Sequence, residues 1–337
     1  MSAPPIFIVG SPRSGTNLLC RMLDRHPNIA VCGETHLLSM VWPRRQAFGD
    51  PADPARRAKL VDALLATQRI QLLRFDSAKL AQRLNREGVS YPALFTALLQ
   101  YYAAFEAKPR WGEKTPQHAF FSELLCEWYP GAVILHLVRD PRDVVASLQR
   151  MPFGFTSAIL NARTWLKCNQ AARESRHRPG YLEVRYESLV LQPDRELETI
   201  CKHIGEDFTP RMLEAEQPAS VAALEADRYL APLTTERLGK WREQLTSDQA
   251  AQVEWTLGAE LENFGYRREA PRASASLAAR GLAAAAFDLA RQAIPKLPAL
   301  WYRFTAPADL RRYEYWRHPH LGTYTRPEAA PHPERAG

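Results

Sequence analysis

The chain has 337 residues, 46% hydrophobic and 24% charged, with 44 Lys and Arg against 37 Asp and Glu and a net charge of +7. This balance excludes a mainly disordered chain, and no apolar run approaches the ~18 residues of a membrane-spanning helix. The first 270 residues hold no basic arm interleaved with aromatics, so the positive charge points to one anionic ligand rather than to nucleic acid.

Ile6–Val9 predicts a strand, followed by a helix from about Ser14 to Arg25 and a short second strand at Ile29–Val31. No basic start followed by an apolar core precedes the first strand, so no secretory leader is expected. Leu60, Leu64, Leu65, Leu72 and Leu73 keep roughly helical spacing between Pro54 and Asn85, and Tyr91–Phe105 reads as a further helix. A short strand at Arg110–Gly112 leads to a helix near Gln117–Trp128. Val133–Val138 is the clearest interior strand, and Pro141 suits the first position of the helix after it. Helices at Phe155–Ser175, Asp194–Ile204 and Ser247–Asn263 follow, with a strand at Tyr181–Arg185 and Gly265 as the final stop.

Strands alternating with helices predict an α/β fold with a parallel sheet flanked by helices on both faces. Its ligand is expected beyond the carboxyl ends of the strands. A composition change near Pro271 divides the chain into a domain at 1–270, with a helical acceptor-side insert at about 54–106, and an extension at 271–337. The extension reads as an Ala-rich helix, Ala275–Ile294, and then a tail rich in Pro, aromatic residues and Arg. In that tail Trp301, Tyr302, Phe304, Tyr313, Tyr315 and Trp316 stand among Arg311, Arg312 and Arg317. Packing on the domain, lining an acceptor pocket and touching a membrane surface stay open as their roles. The five cysteines, Cys20, Cys32, Cys126, Cys168 and Cys201, are scattered and odd in number. They suit reduced thiols and a cytoplasmic location better than a disulfide framework or a zinc site.

Two strand-to-helix junctions carry the chemistry. The first is Gly10-Ser11-Pro12-Arg13-Ser14-Gly15-Thr16-Asn17. A glycine-rich turn entering a helix gathers backbone N–H groups and the positive end of the helix dipole at one point, and Arg13 adds a fork for anionic oxygens. Thr16 stands where the P-loop of nucleoside triphosphatases needs Lys. The second junction is Val138-Arg139-Asp140-Pro141-Arg142-Asp143, with Ser147 one helical stretch further on. Arg139 and Ser147 can converge on one phosphate, although Arg139 and Arg142 can equally serve as salt-bridge partners of Asp140 and Asp143.

The run Ile6–Thr35, with P-R-S-G-T at its centre, resembles sulfotransferases that use 3′-phosphoadenosine 5′-phosphosulfate (PAPS). It is most similar to the branch holding the tyrosylprotein sulfotransferases and their bacterial relatives. The resemblance implies a P-loop-like sheet, PAPS as cosubstrate, 3′-phosphoadenosine 5′-phosphate (PAP) as product and no metal. It makes Arg13, Ser14, Gly15, Thr16 and Asn17 the 5′-phosphosulfate loop, and Arg139 and Ser147 the ligands of the 3′-phosphate. Tyr186, in a Y-E-x-L segment, is placed near the adenosine or its 3′-phosphate, with a core-edge aromatic as the other reading. Lys240, in a G-x-W segment, is placed over the nucleotide, with a solvated helix position as the other reading.

Sulfuryl transfer needs in-line alignment, positive charge at the leaving phosphate and a base at the acceptor. Glu34, after the second strand, falls on the catalytic Glu of the tyrosylprotein enzymes. Lys114, at a strand end, can touch the bridging or a sulfonate oxygen, and Arg13 can stabilise the leaving phosphate. Pro116 occupies the place where cytosolic members carry a catalytic His, which favours Glu34. His36 and His118 stay open as assistants. The expected activity is transfer to a hydroxyl, or less readily an amine, of a small-molecule, carbohydrate or peptide acceptor. A P-loop small-molecule kinase and a catalytically silent nucleotide-binding protein are the alternatives.

Overall fold

The computed structural model describes residues 3–214 and 233–293, apart from Arg74 and Pro152. Five strands form one wholly parallel sheet: β1 (Ile6–Gly10), β2 (Ile29–Cys32), β3 (Arg110–Lys114), β4 (Val133–Val138) and β5 (Tyr181–Arg185). Their spatial order is β2-β3-β1-β4-β5. The register sets Ile8 beside Lys114, Gly10 beside Leu137 and Val138 beside Arg185. Every carboxyl end therefore opens on one edge, with the loop after β1 flanked by those after β3 and β4.

Side chains alternate across a strand, so β1 feeds two cores. Phe7 and Val9 join Ala30, Cys32 and Trp111 beneath the helical insert, where Leu60, Leu64, Leu94, Phe95 and Leu98 are buried. Ile6 and Ile8 face the opposite side with Leu19, Leu23, Leu135, Leu137 and Ile200. Apolar burial on both faces is why β1 reads as an uninterrupted apolar run. The exception in β4 is His136, which is fully buried. It accepts a hydrogen bond from the Tyr181 hydroxyl (2.6 Å) at Nδ1 and donates from Nε2 to Asn169 Oδ1 (2.8 Å).

The insert is broken more often than its leucine spacing predicts. Helices run over Pro54–Leu65, Gln68–Leu72, Ser77–Glu87 and Tyr91–Phe105. Thr67 and Asp76 divide this helical stretch because their side chains accept hydrogen bonds from backbone N–H groups ahead of them and start new helices. The expected helix at 117–128 opens as a 3₁₀ turn, Pro116–Phe121, before the α-helix Ser122–Trp128. Ser157 caps the helix Ala158–Glu174, which therefore begins after Phe155. Gly258, at φ 56°, splits the expected helix at 247–263 into Ser247–Leu257 and Glu260–Asn263. Gly265 is a stop as expected, at φ 77°.

The helix Ala275–Ala293 lies along Ala158–Glu174 and Ser247–Leu257. Asp288 accepts hydrogen bonds there from Thr156 Oγ1 (2.7 Å) and the Ser157 amide (2.7 Å). The aromatic and basic tail from Trp301, with the six aromatic and three Arg positions named above, lies outside the described residues. No helix of the described residues is long and apolar enough to cross a membrane. All five cysteines are reduced and buried.

Candidate active site

Each strand delivers one piece of the site from its carboxyl end. In spatial order these are Glu34 after β2, Lys114 at the end of β3, the loop after β1, Arg139 after β4 and Tyr186 after β5.

The loop after β1 is shaped by backbone geometry. Arg13 has φ 71° and Gly15 φ 94°, both in the left-handed region. At Gly15 a Cβ would also collide with the Tyr186 ring. A non-glycine residue such as Arg13 held there is strained, and such strain collects at functional sites. The helix Thr16–Asp24 begins immediately after, so its first N–H groups open toward the loop. Arg13 Nε donates to Ser147 Oγ (3.0 Å), tying the two motifs together across 134 residues of chain.

Arg139 is almost wholly buried, with its guanidinium 4.3 Å from the centre of the Tyr186 ring. It donates to the carbonyl of Arg237 (2.6 Å) and, more weakly, to that of Arg13 (3.4 Å). The nearest Asp143 oxygen is 3.8 Å away. Arg142 differs in kind: it is buried between Asp140 (2.8 Å) and Glu254 (2.8 Å) and against the Trp241 ring. Both arginines thus keep a salt bridge, Arg142 the short buried pairs and Arg139 a long one to Asp143, while Arg139 also donates toward the loop after β1.

Among the described residues, the buried Ser14 Oγ and Arg139 Nε have no hydrogen-bond partner. Two unsatisfied polar atoms at one end of a sheet, beside a helix N-terminus, suit an anionic nucleotide that would bring the missing acceptors. The residues therefore fit PAPS. Lys240 lies further out. Its side chain is 42% exposed and its ammonium pairs with Glu243 (2.7 Å). Its segment is fixed to the second motif, because Asp143 accepts hydrogen bonds from the amides of Gly239 (2.9 Å) and Trp241 (2.8 Å).

On the other side of the loop, Lys114 is buried and donates both to Asn17 Oδ1 and to Glu34 Oε1 (2.8 Å). The second Glu34 oxygen accepts from His36 Nε2 (3.0 Å) and lies 3.6 Å from Arg69. Burial works to raise the Glu34 pKa, but Lys114, then His36 and Arg69, outweigh it and hold the carboxyl well below its ordinary value. His36 is pushed down to about 4, by burial first and Arg69 second, so at neutral pH it is an uncharged donor to Glu34. His118 does not reach Glu34; its Nδ1 meets Glu113 Oε2 at 2.9 Å. The structure thus separates the two histidines that the sequence left as equals. Arg69 is the residue that sequence reasoning missed, because the helix periodicity of the insert says nothing about which of its charged positions turns inward.

His36 and His136 share a consequence for stability. Both are held at about 4 in the folded chain, chiefly by burial, against an ordinary 6.5. The unfolded imidazoles bind protons first, so stability is complete above pH 6.5 and falls as pH drops toward 4. Each histidine is expected to contribute a loss of about 3 kcal/mol across that window. Urea unfolding at pH 7 and near pH 4 checks this; equal stability at both would contradict the buried, neutral assignment.

Residues 4–210 match the family profile described as Sulfotransferase family. A protein-tyrosine sulfotransferase of Drosophila melanogaster is 25% identical over 266 residues. That match covers 73% of this chain and 48% of the relative, so the chain spans about half the relative's length. Stf3 of Mycobacterium bovis, an omega-hydroxy-beta-dihydromenaquinone-9 sulfotransferase, is 27% identical over 315 residues, covering 80% of this chain and 76% of the other. The solved sulfotransferase domain of the Synechococcus PCC 7002 olefin synthase shares the fold, with a TM-score of 0.53 at 24% identity over 75% of this chain and 94% of that one. With the match spanning the first phosphate loop, the Lys114 strand and the Arg139–Ser147 motif, the chain belongs to the sulfotransferase family.

Proposed function

We propose that the protein transfers a sulfuryl group from PAPS to a hydroxyl of a small-molecule, carbohydrate or peptide acceptor, with Glu34 as general base. The observation that carries this reading is the Lys114 ammonium, which touches both Asn17 of the phosphate loop and the Glu34 carboxylate. It sets a base beside the place where a nucleotide's 5′ end would be held. The names of the two relatives support a hydroxyl acceptor, since a tyrosine and an omega-hydroxylated menaquinone both offer one.

Bound PAPS would supply the SO₃ unit on a phosphate leaving group. Arg13, Ser14 and the amides of Gly15, Thr16 and Asn17 would hold its 5′ end, and Arg139 and Ser147 its 3′-phosphate. Tyr186 would support the nucleotide from beneath Arg139. Lys240 would close over it after leaving Glu243. Lys114 places a positive charge where the leaving phosphate's charge develops. Glu34, kept ionised, takes the acceptor's proton, and His36 orients it. A kinase is disfavoured because Thr16 occupies the position of the required Lys.

Thermal unfolding with PAP, ADP, and ATP with Mg²⁺, followed by transfer of label from ³⁵S-PAPS, tests the reading. PAP at 100 times its Kd is expected to add about 2.7 kcal/mol of stability, with no comparable response to ATP and Mg²⁺. Stabilisation by ATP and Mg²⁺ alone would replace this reading with the kinase.

A further inference from the structure

We infer that Glu113 is a positioning residue, a buried carboxylate that clamps together the two loops carrying Glu34 and Lys114. Its effect on turnover rests on the sulfuryl-transfer reading; its effect on loop geometry does not.

Glu113 is the next-to-last residue of β3, level with Phe7 of β1 and Cys32 of β2, and is fully buried. A carboxylate at such a position costs several kcal/mol in desolvation, and a well-packed apolar side chain would usually serve stability as well or better. Its hydrogen bonds show what it does instead. Oε1 accepts from the Thr35 hydroxyl (2.9 Å), the Thr35 amide (3.3 Å) and the Thr115 hydroxyl. Oε2 meets Nδ1 of His118 at 2.9 Å. Thr35 follows Glu34 in the chain, and Thr115 follows Lys114.

Each threonine passes the constraint on. The Thr115 hydroxyl oxygen accepts from the His36 amide (3.3 Å), and that of Thr35 accepts from the Leu37 amide (3.3 Å). His36 sits at φ 51°, a conformation that an L-residue holds only when its surroundings enforce it. Three consecutive amides, those of Thr35, His36 and Leu37, are thus held directly by the carboxylate or through one hydroxyl. Fixing this turn aims the His36 ring at Glu34 and sets Glu34 against Lys114. Glu113 touches neither Glu34 nor Lys114 through its side chain, so its role is exerted through the backbone of the turn.

The test uses the full chain with Glu113→Met, Thr35→Val and Thr35→Ser, with hydrogen exchange as the primary readout. Glu113→Met, which removes the acceptor oxygens, is expected to speed exchange at amides 35–37 about 10-fold or more, and Thr35→Val at amide 37, the loss of one hydrogen bond's worth of protection, while the rest of the sheet keeps its protection. Thr35→Ser, which keeps the hydroxyl, is expected to retain wild-type protection. With ³⁵S-PAPS, kcat should fall about 100-fold in the first two variants, the cost of a displaced base, with the Kd for PAP unchanged. In a Glu34→Gln background, Glu113→Met should cause no further loss of kcat, because it acts through Glu34.

Unchanged exchange at 35–37 overturns the clamp, and so does loss of protection throughout the sheet, which would make Glu113 a core residue only. If Glu113→Met does not fold, the Thr35 pair decides by exchange at amide 37. A wild-type protein that never turns over PAPS would defeat the reaction reading while the exchange data still decide the clamp.

Discussion

Glu34→Gln is expected to lower kcat by about 10²–10⁴-fold while the affinity for PAP stays the same or tightens. The substitution preserves shape and removes only the charge and the basicity. PAP binding should not suffer, because the lost negative charge lies beside an anion site. The pH profile adds a second, independent reading. With Lys114, His36 and Arg69 holding the Glu34 carboxyl well below its ordinary 4.5, the acid limb of wild-type kcat/KM should lie below that value. Lys114→Met removes the cation that most offsets burial. The limb should then move toward neutral pH, and the remaining rate should fall as well, since the leaving phosphate loses its positive partner. Wild-type kcat in Glu34→Gln would show that the base lies elsewhere, and His36 would be the next group to change.

The second large effect is expected at the other end of the site. Arg139→Ala should weaken PAP binding by about 10–100-fold, the worth of a charge-assisted hydrogen bond to a phosphate. AMP, which is PAP without its 3′-phosphate, provides the control. Its affinity should be little changed, so the preference for PAP should shrink by about the same 10–100-fold, leaving only what Ser147 contributes. Arg139→Lys should not restore discrimination, because an ammonium point charge offers no fork to the phosphate. Calorimetry with both nucleotides measures this directly. A uniform weakening of both would mean that Arg139 holds the Arg237 carbonyl and Tyr186 in place without reading the phosphate.

How much of this was legible in the chain follows the range of the interactions concerned. The loop after β1 was readable because its shape depends on neighbours in sequence: glycines that permit the turn, an Arg within it and a helix that starts at Thr16. The second junction was readable for the same reason, as eight residues spanning a strand end and one helix, but the contact of Ser147 with Arg13 was not. The breaks in the insert were less clear, although Thr67 and Asp76 are capping residue types. There the apolar spacing ran on across short helices, and local side-chain hydrogen bonds overrode it.

The sequence by itself determined a parallel α/β sheet and its two strand-to-helix junctions, because strand and helix periods and turn chemistry are encoded locally, while Glu34 and Lys114 were singled out through the family resemblance. Only the tertiary structure decided which groups surround that pair. The strand order β2-β3-β1-β4-β5 brings Lys114 between Asn17 and Glu34, and the packing of the insert brings Arg69 to the same carboxylate. It also gave His36 to Glu34 and His118 to Glu113, a division that no spacing contained. These contacts join residues up to 97 positions apart. They exist because burying apolar surface on both faces of the sheet fixes the strand order and register, and the polar groups at its edge then pair with whatever that register presents.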